Sequence, residues 1–493
     1  MTDARTSTPA DAAAEPDPNR WKALSVCLTA GFMTLLDVSI VNVALPSIAD
    51  QLDASASALQ WVVSGYALTF GLVLVSAGRL GDARGRRTLF IAGVVVFTLA
   101  SLAAGLAQSA AWLVAARLAQ GVGGGIINPQ VSGLIQQLFQ GAERGRAFGR
   151  LGTTIGVSTA IGPVLGGVIL AVVGADHGWR WVFLVNLPVG VLAILLSLRY
   201  IAPRRDKEPA RDLDPVGALL LGAGVVGVLW PLVSEQWEPL DLGLLVAGLV
   251  VLAVFVVWER RLDARGRTPM VRLSLFRVPG YATGALLALA YFSGFTGIFF
   301  VLTLYLQDGL GYTPLQAGLA ITPFALGSAV TAAIGGRVVS TRGRAVVVTG
   351  LVLVIAGLLL AEVLLGAAGG RSTTGWWTAA PLLLAGLGSG LVISPNQTLA
   401  LEHVPVAEAG AAGGVLQTGQ RLGSAVGIAV VGALYFAGAG SGDGTAGITH
   451  GLLATVALLG VALAIGVVDL VRRRRPGTDD VRGPGTAPRA PQP

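Results

Sequence analysis

Charged side chains are scarce in this sequence. Asp, Glu, Lys and Arg together make up 12% of its 493 residues, about half of the roughly 25% that is usual in soluble domains. Apolar stretches recur from Trp21 to Val471, and at around 20 residues each could cross a bilayer core of roughly 30 Å as a helix. The composition therefore excludes an ordinary soluble protein and predicts a polytopic membrane protein.

Cysteine, histidine and lysine are scarcer still. Cys27 is the only cysteine, which excludes an intrachain disulfide and a cysteine-based metal cluster. The three histidines lie far apart in the chain, so we expect no metal site. A nucleotide-binding phosphate loop ends in Gly-Lys-Ser/Thr, and neither of the two lysines, Lys22 and Lys207, stands in such a motif. We therefore expect no ATP site and no cofactor.

The apolar stretches predict fourteen transmembrane helices, so the predicted fold class is an all-α integral membrane protein. These helices are called spans 1 to 14. Their approximate bounds are 22–46, 59–78, 88–108, 111–133, 151–173, 182–200, 215–233, 240–258, 281–304, 314–335, 345–366, 377–398, 411–436 and 449–471. An even number of spans places both termini on one side of the membrane.

The basic residues set the predicted orientation. With the N-terminus inside, 30 of the 34 lysines and arginines fall in the tails and in the alternate loops on that side, as the positive-inside rule requires. All ten tryptophans lie near span ends or in short loops, where aromatic belts form. We therefore expect a plasma (inner) membrane protein with both termini cytoplasmic. The sequence pI of about 10.0 then reflects topology and contact with anionic lipid, and not a nucleic-acid partner.

An internal repeat divides the chain. The segments Gly78–Arg87 after span 2 and Gly336–Arg344 after span 10 match at an offset of 258, with Ser340 in place of Asp82. Spans 1–6 and 9–14 therefore form two predicted six-helix halves, with spans 7 and 8 inserted between them. The predicted units are a disordered cytoplasmic tail at 1–20, the N-terminal half at 21–200, the insert at 214–259, the C-terminal half at 280–471 and a second disordered tail at 472–493.

Several motifs carry a resemblance to a known family. They are Gly78–Arg87 (GRLGDARGRR), Leu36–Pro46 (LDVSIVNVALP), Arg117–Gly123 (RLAQGVG), Gly162–Gly167 (GPVLGG) and, in span 6, Trp179–Phe183 followed by Asn186–Pro188. Together with the two halves they resemble the major facilitator superfamily, and the fourteen spans resemble its drug:proton antiporter family. The resemblance implies a secondary exporter that works by alternating access and is driven by the proton gradient.

Four charges lie deep in predicted spans: Asp37, Arg117, Glu362 and Arg421. Each costs about 2.5–3.5 kcal/mol on insertion scales, so each needs a structural or functional reason. Asp37 and Arg117 lie about 12 Å and 10 Å from the outer surface, so both could face one central cavity. There Asp37 could alternate between pairing with Arg117 and holding a proton, as the resemblance implies; the alternative is a permanent structural ion pair.

The other two deep charges lie in the C-terminal half. Glu362 lies roughly 7 Å from the outer end of span 11 and Arg421 about 15 Å into span 13. Glu362 is close enough to water to line a substrate cavity. Arg421 is predicted to pair with a carboxylate or with backbone carbonyls of its own half; the alternative is a fixed brace between helices.

Two motifs are predicted to control access. Gly78, Asp82, Gly85 and Arg86 form a predicted gating loop that reverses direction within about ten residues, which explains its glycines. Asp82 could accept backbone N–H groups or pair with an arginine, and the resemblance implies a latch between the halves. The alternative is a basic loop that only sets topology.

The second motif lies in span 5. Gly162 and Gly166 form a close-packing step with Pro163 between them and Gly167 beside it. The resemblance implies a pivot that resists leakage. Tight packing without a gating role is the alternative.

The predicted substrate cavity has an aromatic wall. Tyr291, Phe295 and Phe299 share one face of span 9, and they would suit planar, lipophilic or cationic cargo. Asn42 and Gln120, from the span 1 and span 4 motifs, complete the predicted lining with Glu362 and Arg421. Lipid-facing bulk explains the aromatic residues equally well.

The predicted function is proton-coupled export of small amphipathic or cationic molecules, as in drug or antibiotic efflux. Its partners would be the cargo, protons and the lipid bilayer, without an obligatory protein partner. The cargo could instead be an endogenous metabolite, siderophore or lipid. An intramembrane enzyme or sensor is a remote alternative, because no nucleophile–base pair, acidic metal cluster or output domain is visible.

Overall fold

The computed structural model describes residues 17–203, 214–233, 239–368, 374–439 and 445–474. Within these ranges the regular structure is entirely helical, and fourteen helices are long and apolar enough to cross a membrane. The prediction of an all-α membrane protein with fourteen spans is therefore confirmed.

Ten of the fourteen spans are longer than the apolar stretches suggested; spans 3, 7, 9 and 12 are not. The bounds of the fourteen spans are Arg20–Leu52, Ala56–Arg84, Arg86–Gly105, Ala110–Leu138, Gly141–Val173, Ala175–Leu184 with Asn186–Tyr200, Pro215–Val233, Pro239–Ala264, Tyr281–Leu304, Pro314–Arg342, Arg344–Ala368, Ala379–Ala400, Ala409–Ala439 and Ala446–Arg474. Short helical turns lie at Leu273–Arg277, Tyr305–Gly309, Thr374–Trp377 and Val406–Glu408.

Two predicted boundaries were wrong for identifiable reasons. Span 5 begins at Gly141, ten residues before the prediction, and has 33 residues. At 1.5 Å per residue that is about 50 Å, so its polar first turns extend beyond the apolar core. Span 6 is two helices that meet at Val185. Pro188 has no N–H to donate to the carbonyl of Leu184, which explains the interruption.

The two halves meet along two seams that the internal repeat makes equivalent. Span 2 packs on span 13, and span 5 packs on span 10; spans 10 and 13 occupy the positions of spans 2 and 5 in the repeat. We call these contacts the 2/13 seam and the 5/10 seam. Spans 7 and 8 pack on each other, and span 7 also contacts spans 2 and 13, so the insert lies beside the 2/13 seam.

Glycines let the helices approach closely at both seams. A Cβ on Gly78 would collide with the carbonyl oxygen of Gly410, and a Cβ on Gly145 would collide with that of Gly336. Both contacts lie toward the end of the bundle where span 1 begins and span 14 ends. We call this the terminal end, and the other the opposite end.

The prediction that the gating motif Gly78–Arg87 forms a ten-residue loop is wrong, because most of the motif is helical. Span 2 continues as helix through Arg84, and the chain reverses at Gly85, whose φ is +106°. Gly343 ends span 10 with φ of +52° and occupies the same place in the repeat. Because L-residues with a side chain rarely adopt these conformations, each reversal depends on a single glycine.

Candidate functional site

Asp37 and Arg117 form an ion pair inside the N-terminal half. The Nη1 of Arg117 donates to Asp37 Oδ2 over 2.5 Å. Asp37 Oδ1 accepts hydrogen bonds from the amide groups of Gln120 and Asn186, at 3.1 and 3.0 Å. The same two amides also contact the hydroxyl of Ser101, at 2.7 and 3.4 Å. The network around this buried carboxylate therefore links spans 1, 3, 4 and 6.

The arginine of this pair is held on its other sides as well. Its Nε donates to the carbonyl of Val62 over 2.9 Å, and its Nη1 also donates to Gln120. The guanidinium carbon lies 4.3 Å from the ring centroid of Tyr66, a cation–π geometry. Arg117 therefore adds span 2 to the network, and every member is hydrogen-bonded.

The predicted orientation of this pair toward a central cavity is wrong. Asp37 is completely buried and Arg117 is 2% exposed, because spans 1, 2, 4 and 6 enclose them. Gln120 belongs to this network too, and it does not line the cavity described below. The pairing inferred from equal depth is present, whereas the role of the pair in proton coupling stays a prediction.

Asp82 connects the two halves at the terminal end. Its carboxylate accepts hydrogen bonds from the backbone N–H groups of Gly410 and Ala411, at 3.1 and 2.9 Å. Those groups lie in the first turn of span 13, where unpaired N–H groups and the helix dipole favour a negative charge. Both of the contacts that the sequence suggested for Asp82 are present, because Arg86 pairs with the same carboxylate at 2.8 Å.

Arg86 extends this connection to a second element of the C-terminal half. Its guanidinium donates to the carbonyl of Val406, in the short turn before span 13. Within its own half it also donates to the carbonyl of Gly133 of span 4, over 2.7 Å. Further bonds cross between the halves nearby: the side-chain amide of Gln136 donates to the carbonyl of Leu401, and that of Gln397 donates to Ser132. The halves are therefore in direct contact at the terminal end.

A cavity of about 430 Å³ lies between the halves farther along the 2/13 seam. It extends from the middle of the bundle to Ser57, which is exposed in the first turns of span 2 at the opposite end. The cavity is lined by residues of spans 2, 7, 9 and 13, namely Ser57, Gln60, Trp61, Ser64, Ala67, Leu68, Leu229, Trp230, Thr296, Arg421, Ser424, Ala425 and Ile428.

Arg421 is the one charged residue among these lining residues. The prediction that it pairs within the C-terminal half is wrong: among the described residues it has no ion-pair or hydrogen-bond partner. Its guanidinium carbon instead lies 4.4 Å from the ring centroid of Phe70, on span 2. A cation–π contact is worth about 0.5–2 kcal/mol, and it leaves the charge of this partly exposed side chain without a counter-charge.

The predicted aromatic wall lies elsewhere. Tyr291 is 1% exposed and donates its hydroxyl to Ser389 of span 12 over 2.8 Å. Phe295 and Phe299 pack on Phe324 of span 10, with ring centroids 6.0 and 5.2 Å apart. Because spans 9, 10 and 12 pack together, this face joins the core of the C-terminal half and does not line the cavity.

Two further residues of the predicted lining are also outside the cavity. Glu362 of span 11 accepts a hydrogen bond from Thr449 of span 14 over 3.4 Å, so it belongs to the contact between those helices. Asn42 is exposed on span 1. The prediction of a cavity lined by both residues is therefore wrong for this cavity.

The span 5 motif lies between two helices. Gly162 and Gly166 face span 1, where added Cβ atoms would meet Ser39 and Ile40. A Cβ on Gly318 of span 10 would lie 2.9 Å from Pro163, and one on Gly167 would lie 3.3 Å from Leu315 of the same span. The motif therefore packs span 5 against its own half on one side and across the 5/10 seam on the other.

Sequence reasoning missed three contributors to these sites. Asn186 belongs to one of the sequence motifs and begins the second helix of span 6, but the motif alone does not predict its contact with Asp37. The sequence predicts interfacial belts for Trp61 and Trp230, but their rings contact each other in the cavity lining, with centroids 4.8 Å apart. A tryptophan near a span end gives the same sequence signal whether it lies in an interfacial belt or in a cavity lining.

The geometry defines the class of protein. Two related helical halves enclose a cavity between them, which reaches the opposite end and is closed at the terminal end by contacts between the halves. Transporters that expose one site alternately to the two membrane faces have this architecture.

The comparisons with known proteins identify the family. The model of the Major Facilitator Superfamily matches residues 27–428, and the chain belongs to that superfamily. It is 39% identical over 450 residues to the probable actinorhodin transporter of Streptomyces coelicolor, covering 90% of this chain and 77% of that protein. It is 34% identical over 494 residues to the puromycin resistance protein of Streptomyces alboniger, covering 97% and 96%. The chain is therefore a membrane transporter and not an enzyme.

Two solved structures share the fold. One is the human organic anion transporter MFSD10, with a TM-score of 0.66 at 15% identity, covering 91% of this chain and all of that one. The other is the proton:xylose symporter XylE, with a TM-score of 0.62 at 16% identity, covering 93% and 96%. At these identities the likeness concerns the fold alone.

Proposed function

We propose that this transporter exports small amphipathic molecules by proton-coupled antiport through the cavity along the 2/13 seam. The observation that carries the proposal is the position of this cavity, between two halves that the Asp82 contact holds together at the terminal end. An outward-facing state needs that arrangement, and separation of the Asp82 contact would allow the inward-facing state. Relatives named for antibiotic transport and resistance support export as the direction.

Protons would act on the Asp37 network. A proton on Asp37 removes the charge that Arg117 pairs with, so the bonds that join spans 1, 2, 4 and 6 change together. Because these helices form much of the N-terminal half, such a change could alter its packing against the C-terminal half. One charge crossing 100 mV yields about 2.3 kcal/mol, roughly a 50-fold concentration ratio, and no ATP site is needed.

The test is transport in reconstituted vesicles. The full-length protein is placed in proteoliposomes with an imposed pH gradient, and uptake of a fluorescent amphipathic dye is followed with and without a protonophore. We expect cargo movement against its gradient that stops when the protonophore is added. Movement that is unaffected by collapse of the pH gradient would contradict proton coupling.

The proposed location is a bacterial plasma membrane with both termini cytoplasmic. The chain offers a direct test, because Cys27 is its only cysteine and is buried. In a Cys27→Ala background, single cysteines at Thr88 (terminal end, exposed) and at Ser57 (opposite end, exposed) are labelled in whole cells with a membrane-impermeant maleimide. We expect labelling at Ser57 only; labelling at Thr88 alone would reverse the orientation.

The cargo of this chain is proposed to be an antibiotic-like small molecule. The names of the two Streptomyces relatives cover transport of one such compound and resistance to another. Self-made and incoming compounds therefore both fit. Accumulation of a panel of antibiotics in an efflux-deficient host, with and without this protein, would separate the two sources.

A further inference from the structure

Arg421 has the properties of a ligand-binding group. It lines the cavity, and among the described residues no carboxylate or carbonyl neutralises its charge or accepts its N–H groups. A guanidinium has five N–H donors in a planar fork that matches a carboxylate. Arg421 is partly exposed in the cavity, so an acidic group of a bound molecule could reach it and supply the counter-charge that the described residues do not.

Among the described lining residues of the cavity, none carries a negative charge. Arg421 is the one charged side chain in the lining, and the remaining polar lining residues include the hydroxyls of Ser57, Ser64, Thr296 and Ser424. Thr296 and Ser424, which lies one turn from Arg421, are bonded to each other at 2.8 Å. A positively charged cargo would therefore meet Arg421 without a counter-charge, which is unfavourable in a low-dielectric site.

The other end of the cavity is aromatic. Trp61 of span 2 and Trp230 of span 7 form a tilted pair with ring centroids 4.8 Å apart. Phe70, against which Arg421 lies, is nine residues after Trp61 on the same helix. Nine residues rise by about 13 Å, which sets the length of a molecule that reaches both groups.

We propose that the cavity binds elongated aromatic acids about 13 Å long, with the acidic group on Arg421 and the rings packed against the Trp61–Trp230 pair. The proposal rests on the proposed export function, and it replaces a cationic cargo by an anionic one. It also gives the inserted span 7 a part in recognition, since Trp230 belongs to the insert. Arg421 is the specificity-determining residue.

The binding test uses three probes of equal shape and different charge. These are anthracene-2-carboxylate, its neutral amide anthracene-2-carboxamide, and the cation anthracen-2-ylmethylammonium. Binding to the full-length protein in nanodiscs is measured by equilibrium dialysis with anthracene fluorescence, and empty nanodiscs give the lipid background. We expect the carboxylate to bind at least tenfold more tightly than the amide, and the cation most weakly.

Variants test whether Arg421 causes the preference for the acid over the amide. Arg421→Gln should remove the difference between acid and amide, whereas Arg421→Lys should keep part of it because the charge remains. Arg199→Gln is the matched control, since Arg199 also lies near an aromatic ring, that of Tyr200, but is exposed and far along the chain from the cavity. It should leave all three affinities unchanged. Melting temperatures show whether each variant is folded.

The outcomes separate the cargo class from the transport function. Equal binding of acid and amide to the unmodified protein, tightest binding of the cation, or an unchanged acid preference in Arg421→Gln would each overturn the proposal. Proteoliposomes that transport the amide and the cation but exclude the acid would overturn it too, while export would stand. A tenfold acid preference that depends on Arg421, in vesicles that transport none of the probes, would support the binding site and contradict export.

Discussion

Asp82 in the N-terminal half and Ala411 in the C-terminal half are joined by a hydrogen bond of 2.9 Å from the backbone of span 13 to the carboxylate at the end of span 2. The side chain of Asp82 is completely buried, as is nearly all of Arg86 beside it. Water can therefore not replace this contact without separation of the halves, so its strength should set the balance between access states.

Asp82→Asn should favour opening at the terminal end. An amide keeps one acceptor oxygen but loses the charge that both Arg86 and the start of span 13 require. Hydrogen bonds to charged groups contribute about 1.5–3 kcal/mol, so we expect a shift of that size toward separated halves. Spin labels at Thr88 and Thr341, both exposed at that end, would report longer distances in a Cys27→Ala background. Asp263→Asn, which changes an exposed carboxylate in the last turn of span 8, should leave the distances unchanged.

Asp37→Asn separates proton coupling from a structural role. If Asp37 carries the proton, the variant should insert and melt normally, because an amide can still bond to Arg117, yet proton-driven transport should stop. A structural ion pair predicts a lower melting temperature instead, since breaking a buried pair costs about 3–5 kcal/mol. In that case Asp37→Asn with Arg117→Gln should restore both stability and transport. A stable and fully active Asp37→Asn protein would end the coupling proposal.

Gly336→Ala should disturb the 5/10 seam. The added Cβ would lie against Gly145 and within 2.6 Å of Gly149 Cα, and both are backbone contacts that cannot rotate away. Overpacking of this kind costs about 1–3 kcal/mol, so we expect a lower melting temperature or loss of closure. Gly460→Ala is the control, because no atom lies within 4 Å of its added Cβ. That variant should be neutral or slightly stabilising.

Trp230→Ala should weaken the binding of aromatic cargo without unfolding the protein. Trp230 is 40% exposed and contacts Trp61 in the cavity lining. Aromatic pairs contribute about 0.5–1.5 kcal/mol, so anthracene-based probes should bind roughly two- to tenfold more weakly. Trp376→Ala, which removes a tryptophan that is 83% exposed and outside the cavity lining, should change nothing. Equal affinities in both variants would remove the insert from the binding site.

The fourteen spans could be predicted because hydropathy alone determines which segments cross a membrane. The pairing of Asp37 with Arg117 could be predicted because helix rise gives the depth of each residue. Rotation about the helix axis could not be predicted in the same way. Lipid and protein core are both apolar, so a span does not show which face is inside. For this reason the sequence predicts that Asp37 faces the cavity, that Arg421 pairs within its own half and that Phe295 faces cargo, and the structure contradicts all three predictions.

The repeat also concealed an asymmetry. Arg344 matches Arg86 at an offset of 258, but Ser340 stands where Asp82 would be. Arg344 pairs instead with Asp469 of span 14 at 2.7 Å and with Asn396 of span 12 at 2.5 Å. The 2/13 seam is therefore closed at its terminal end by the charged contacts of Asp82 and Arg86. The 5/10 seam is joined there by glycine packing.

Span 7 contacts span 2 in one half and span 13 in the other, so it bridges the seam that would have to part. Rocking of the halves would therefore slide span 7 along at least one neighbour and carry span 8 with it. The outer face of span 8 is apolar and exposed at Val246, Leu249, Val250 and Val254, where acyl chains would surround it. Bilayer thickness and lateral lipid packing should consequently act on the rate of the access change, through two helices that belong to neither half.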